Sequence, residues 1–246
     1  MIQFLKFSNK IVLASAILIV FTSCKHSTYF GNGIDGNGNV TTQTRNFTED
    51  FTSIQAKNGL EVEIAQSNQK LITVEADENL QQHIITRVEN GVLIIETNEN
   101  IDDAKSKKVT VKLPIFTGVT SSSGSSVTSM NVLKGEALKI ESSSGSEVEL
   151  SLEVDSILCL ASSGSSIAIN GKALNLETSS SSGSEIDAGK LLTNTVTAQS
   201  KSGSSINVHP ILSLKAHASS GSSIDYNNLP KTISKEESSG GSISQK

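Results

Sequence analysis

Four carboxylates in the middle of this chain carry the clearest spacing for chemistry. Glu147 and Glu149 stand two residues apart, and Glu185 and Asp187 repeat the pair further on. Paired carboxylates can hold a cation weakly or act as the acid and base of glycoside cleavage, depending on their separation. That separation is set by the element that presents them. Each pair follows a Ser-Gly-Ser phrase, whose glycines are Gly124, Gly145, Gly164, Gly183, Gly203, Gly221 and, in a degraded copy, Gly240. The steps are 21, 19, 19, 20, 18 and 19 residues. A fixed period in this range marks one supersecondary unit stacked on copies of itself.

Counted from each glycine, the odd offsets carry apolar residues. Seven before sit Leu138, Ile157, Leu176, Val196, Leu214 and Ile233, and three after sit Val127, Val148, Ile167, Ile186, Ile206, Ile224 and Ile243. The even offsets carry Lys139, Glu141, Glu177, Asn207, Lys215, Asp225 and the four acids. Strict alternation means strands with one buried and one solvated face. About thirteen residues of strand and bend leave six or seven for a return turn, as at Asn170-Gly171-Lys172 and Ala188-Gly189-Lys190, too few for a crossover helix. The expected fold is therefore all-β: a single-stranded β-helix (β-solenoid), right-handed by the crossover rule, with coils of about 20 residues and Ser-Gly-Ser bends. The residues flanking the glycines are small and share the inward parity. This predicts a crowded bend and an inward column of Ser123, Ser144, Ser163, Ser182, Ser202 and Ser220.

The solenoid argues against catalysis. Glu147/Glu149 and Glu185/Asp187 are separated by a coil bearing Ser166 and Ala168, so the pairs lie roughly 10 Å apart, at or beyond the glycosidase range. They are expected to form a solvated acidic stripe, at most a weak cation or ligand face. His26, His83, His209 and His217 lack metal-ligand spacing, and no G-x-S-x-G elbow occurs. Gly31-Asn32-Gly33-Ile34-Asp35-Gly36 matches G-x-G-x-x-G but follows no strand and opens no helix. No catalytic residue, metal or cofactor is expected. The net charge of −5 and the absence of a basic run exclude a typical nucleic-acid binder. There is no Trp, and the repeats hold one aromatic residue, Tyr226, which weakens sugar stacking as a mode of recognition.

The chain divides into five stretches. Residues 1–23 read as a signal peptide, with Lys6 and Lys10 ahead of the apolar run from Ile11 to Phe21, too short to span a bilayer. Phe21-Thr22-Ser23-Cys24 resembles a bacterial lipobox, which implies lipidation of Cys24 and a lipidated tether over 24–37. Cys159, the other cysteine, falls in the inward pattern and reads as a small core residue. Residues 38–116 are expected to form irregular first coils, with one helical turn near Asp77 to Arg87. Residues 117–230 form the regular repeats, and 231–246 a cap or a frayed tail.

Gly38-Asn39-Val40, Arg45, Phe51-x-x-Ile54, Gly59-Leu60-x-Val62-x-Ile64, Val74-x-Ala76-Asp77-x-Asn79-Leu80 and Val109-x-Val111-x-Leu113-Pro114 precede the Ser-Gly repeats. In this order they resemble the "putative auto-transporter adhesin, head GIN domain" family, a domain of unknown function, over roughly 38–230. The resemblance implies a β-helical, exported or lipid-anchored envelope protein of a Gram-negative bacterium and supplies no catalytic residues. The expected role is a non-enzymatic binding protein, held to the outer membrane by its N-terminal lipid. It would present a polar strand face to a glycan or to an envelope or cell-surface protein. The alternatives are a periplasmic scaffold or stress component and a carbohydrate-active enzyme. Lys25-His26-Ser27-Thr28 lacks the acidic run that some lipoproteins use for surface export, which favours the inward-facing case.

Overall fold

A computed structural model describes residues 33–246. The signal-like segment, Cys24 and the tether up to residue 32 lie outside the described residues. The described chain is built from strands, β1 (Ile34–Asp35), β2 (Val40–Arg45), β3 (Ser53–Ala56), β4 (Glu61–Gln66), β5 (Leu71–Asp77), β6 (Ile84–Glu89), β7 (Val92–Thr97), β8 (Ile101–Asp103) and β9 (Lys107–Leu113) coming first. The repeats follow as β10 (Gly118–Ser121), β11 (Ser126–Ser129), β12 (Leu133–Ser143), β13 (Glu147–Ser162), β14 (Ser166–Ser180), β15 (Glu185–Lys201), β16 (Ser205–Ser219), β17 (Ser223–Tyr226), β18 (Thr232–Ser238) and β19 (Ser242–Gln245). They wind into a β-solenoid of about seven turns.

Each coil has two legs joined at the Ser-Gly-Ser corner. One face stacks the legs after the corner in parallel, with Val127, Val148, Ile167, Ile186, Ile206, Ile224 and Ile243 in register. The other stacks the legs before it, with Ile140, Cys159, Thr178, Ala198 and Ala216 in register. These inward positions are fully buried, so the period-two pattern of the sequence becomes one continuous core between two parallel sheets.

The Ser-Gly-Ser corner differs from the crowded bend that the small residues suggest. Ser123, Ser144, Ser163, Ser182, Ser202 and Ser220 are exposed and adopt φ of 53 to 57°. The following glycines have φ of 68 to 71°. Two successive left-handed residues make a type I′ turn, and Ser125 N–H donates back to Ser122 O at 3.3 Å. A Cβ built on Gly124, Gly145, Gly164, Gly183, Gly203 or Gly221 meets nothing within 4 Å. Glycine is needed there for its conformation, not for lack of room. The turn swings the serine before glycine outward, against the alternation. The serine after glycine is the buried one: Ser125, Ser146, Ser165, Ser184, Ser204 and Ser222 are at most 2% exposed. Ser165 Oγ donates to Ser142 O in the coil below at 2.7 Å and accepts from Ser162 N–H at 3.2 Å. Deleting such a hydroxyl would strand a buried carbonyl and amide, at a cost of about 1–3 kcal/mol.

The return corners also differ from expectation. Strands β14 and β15 run on through Gly171 and Gly189; Gly171 stays paired on both sides while the register shifts around Gly189, and His209 lies within β16 rather than in a turn. Gly171, at φ 114°, approaches Leu152 so closely that a Cβ would sit 2.0 Å from its carbonyl oxygen.

Residues 38–116 are coils only in part. β3 and β7, and β4 and β9, stack in parallel below the repeats, but β5 pairs antiparallel with β9, β2 with β5, and β6 with β7. Reversing direction closes the N-terminal end of the parallel stack within a short stretch of chain. The expected helical turn is a three-residue 3₁₀ turn, Glu78–Leu80, and Ile84 and Val88 belong to β6. At the other end, 231–246 form a paired final coil through β18 and β19. Two of its inward positions hold charges, Lys235 and Glu237, where the preceding coil holds Ala216 and Ala218. Lys235 Nζ reaches Ile243 O at 3.2 Å and lies 4.6 Å from the Tyr226 ring centre. Glu237 Oε1 accepts from Ile243 N–H at 2.6 Å. Charges folded across an open coil oppose addition of another one.

Candidate binding surface

The four acids lie on the outward side of the face formed by the legs after the corner. Glu147 stacks on Ser166 and then Glu185, and Glu149 on Ala168 and then Asp187. The register extends both columns beyond the repeats. Glu61 lies under Ser126 and Glu147, Glu63 lies under Thr128 and Glu149, and Asp225 follows Asn207 above Asp187. An acid thus occurs in alternate coils, about 10 Å apart with a neutral residue between, from Glu61 to Glu185 in the first column and from Glu63 to Asp225 in the second. Carboxylates on adjacent strands would repel each other, and alternation avoids this. Glu61 and Glu63 were not apparent from the repeat because no Ser-Gly-Ser phrase precedes them; only strand register brings them into line.

The acids are not equivalent. Asp187 Oδ1 accepts from Gly189 N–H and Asn207 Nδ2, both at 3.0 Å, so it braces the corner. Glu63 pairs with Lys108 at 3.1 Å, and that hydrogen bond holds the Lys108 ammonium above its ordinary pKa. Partial burial pushes the Asp225 carboxyl upward. Hydrogen bonds from Ser244 at 2.6 Å and Lys246 at 3.0 Å outweigh it and hold the pKa below the usual range. Glu147, Glu149 and Glu185 are exposed and form no ion pair among the described residues.

Among the described residues no three His, Cys, Asp or Glu side chains converge on a common point. His209 contacts Gly189 O at 3.3 Å, and His217 faces Glu236 at 3.3 Å. Burial pushes the Cys159 thiol up to about 12, which leaves it protonated and unreactive at neutral pH. The repeat glycines turn the chain and touch no side-chain cluster.

The polar residues of Val74-x-Ala76-Asp77-x-Asn79-Leu80 act as staples rather than ligands. Asn79 Oδ1 accepts from Asn37 N–H at 2.9 Å, and its Nδ2 donates to Asp35 O at 2.8 Å. Asp77, fully buried, accepts from Lys105 N–H at 2.7 Å and covers Gly36. Together they pin the segment from 33 to 39 against the N-terminal end of the stack.

The repeats form a parallel β-solenoid with outward polar columns. The family model described as "putative auto-transporter adhesin, head GIN domain" matches residues 50–230, and the chain belongs to that family. A crystal structure of a putative adhesin from Bacteroides fragilis aligns with a TM-score of 0.81 at 21% identity, over 87% of this chain and 100% of that one. A putative adhesin from Parabacteroides merdae aligns at 0.70 and 21%, over 87% and 98%. A protein described as a putative lipid binding protein, from Parabacteroides distasonis, aligns at 0.72 and 22%, over 87% and 99%. At these identities the likeness establishes a shared fold. No match was found among curated proteins.

Proposed function

We propose that this protein is a non-enzymatic, lipid-anchored binding protein of the bacterial cell envelope. Its partner, a glycan or an envelope or cell-surface protein, meets the strand face that carries the two acidic columns. The observation that carries this reading is the unpaired, evenly spaced set of Glu147, Glu149 and Glu185 on a flat sheet. Flat strand faces recognise through many spaced contacts rather than through a cavity. The family description favours adhesion. The lipobox-like Phe21-Thr22-Ser23-Cys24 favours anchoring.

The test is protease shaving of intact cells, followed by an antibody to the repeats. Loss of signal supports adhesion outside the cell. Digestion only after the outer membrane is permeabilised removes the adhesion reading and leaves a periplasmic scaffold. A triple Glu147→Gln, Glu149→Gln, Glu185→Gln variant should lose binding on an array of glycans and envelope proteins. Binding equal to wild type would remove the acidic face from the proposal.

A further inference from the structure

The chain has two arginines, and their surroundings differ. Arg87 is flanked by carboxylates: Glu89 accepts from its Nε at 2.7 Å and Glu96 from its Nη1. Arg45, the last residue of β2, makes no ion pair among the described residues. It is half-buried. Gln81 holds one end of the guanidinium: Arg45 Nη2 donates to Gln81 O at 2.9 Å and to Gln81 Oε1 at 3.4 Å. Gln81 is itself buried, and its Nε2 donates to Thr41 O at 2.8 Å and to Val74 O at 3.1 Å, which fixes the orientation of the amide. Arg45 Nε is buried without a partner. A cation drawn partly out of water normally has a carboxylate beside it, and a buried N–H normally has an acceptor. Gln81 supplies only neutral oxygens, so the guanidinium keeps donor capacity and its full charge.

Arg45 lines a depression of about 340 Å³. It lies where β2 and β6 come together; β2 pairs with β5 and β6 with β7, and the two do not pair with each other. Thr44, Asn46, Gln82 and Thr86 give its lining hydroxyl and amide groups. Phe47, Ile84 and Ile85 give it apolar surface, and Phe47 packs at right angles to Phe51 with ring centres 6.2 Å apart. Neither an acidic residue nor a second cation lines it. We propose that this depression binds the carboxylate of an acidic sugar, with Arg45 as the anchor. The site does not rest on the acidic strand face, since it lies outside both columns and takes a ligand of the opposite charge. A guanidinium presents parallel N–H donors that match the two oxygens of a carboxylate. One cation balances a monoanion, whereas a phosphate ester carries close to two charges and three acceptor oxygens. Four hydroxyl and amide side chains suit a hydroxylated ligand better than an acyl chain. The volume stands at the low end of the roughly 300–1,000 Å³ of ligand pockets, which suits a single sugar unit. Phe47 adds an aromatic contact of the kind that the repeats lack.

The experiment titrates the full-length protein, labelled with nitrogen-15 at arginine, and follows both Nε–H signals by nuclear magnetic resonance. Arg87 is the internal control, because its Nε is already committed to Glu89. Glucuronate should move the Arg45 signal and leave the Arg87 signal in place. Glucose, hexanoate and inorganic phosphate should need roughly ten-fold higher concentrations, or more, for the same movement. An Arg45 signal that does not respond to glucuronate would overturn the proposal, and so would an equal response to hexanoate or to phosphate. Gln82→Ala leaves Arg45 and its bonds to Gln81 intact and should weaken glucuronate binding roughly three-fold or more. An unchanged titration of that variant would put the ligand outside this depression and overturn the proposal equally. The Glu147→Gln, Glu149→Gln, Glu185→Gln variant should bind glucuronate as wild type does, so failure of the acidic face and failure of this site give different results.

Discussion

Replacing Gly164 by valine and Gly171 by alanine separates two reasons for needing glycine. Gly164 has φ 69° and open space where a Cβ would go. Only conformational strain opposes a side chain there, about 1–2 kcal/mol for an L-residue and more for a β-branched one. Gly164→Val is thus expected to cost about 2 kcal/mol, which for a chain of this size lowers the melting temperature by roughly 4–8 °C. Gly171 combines φ 114° with a Cβ position 2.0 Å from Leu152 O. Strain of about 1–3 kcal/mol adds to an overpacking cost of about 1–3 kcal/mol, because backbone cannot rotate aside as a side chain can. Gly171→Ala should therefore destabilise more than Gly164→Ala, although the added group is the same. Ser163→Asn, on the same turn at φ 56°, should be neutral or stabilising by up to about 1 kcal/mol, since asparagine tolerates this conformation better. The assay is thermal and urea unfolding followed by far-ultraviolet circular dichroism on all four variants. Equal losses for the two alanine variants, or an unchanged melting temperature for Gly164→Val, would refute the assignment of strain to one corner and close packing to the other.

Exchanging the inward charges of the last coil for repeat-like residues, Lys235→Ala with Glu237→Ser, should leave the solenoid folded but promote concentration-dependent association, seen by light scattering; a monomer at all concentrations would deny these residues a capping role. The stability that Asp225 gains from Ser244 and Lys246 should be present above its ordinary pKa of about 3.9 and lost as pH falls through its lower folded value. Asp225→Asn should flatten that acid limb, read from hydrogen exchange of the two last coils between pH 5 and 2, and an unchanged limb would contradict the assignment.

The repeat was legible because each coil sees the same surroundings. Val127, Val148 and Ile167 are buried for a local reason, the alternation of a strand, and any copy predicts the next. The turn serines were misplaced for a related reason. Alternation assumes extended backbone, and two successive left-handed residues break it, turning Ser163 out and Ser165 in. The antiparallel end formed by β2, β5 and β6 was not legible, because strand direction depends on which edge needs covering. Ile72-x-Val74 alternates in the same way whether β5 runs with β9 or against it.

The acidic face divides along the same line. The chain itself determined that Glu147, Glu149, Glu185 and Asp187 point outward, since parity is a property of one strand. Tertiary register decided that Glu61 and Glu63 join them and that Asp187 is occupied by Gly189 and Asn207. Those facts depend on distances between coils, which are set by how each corner closes. Period and parity are written in local spacing; which columns meet is settled only when the coils stack.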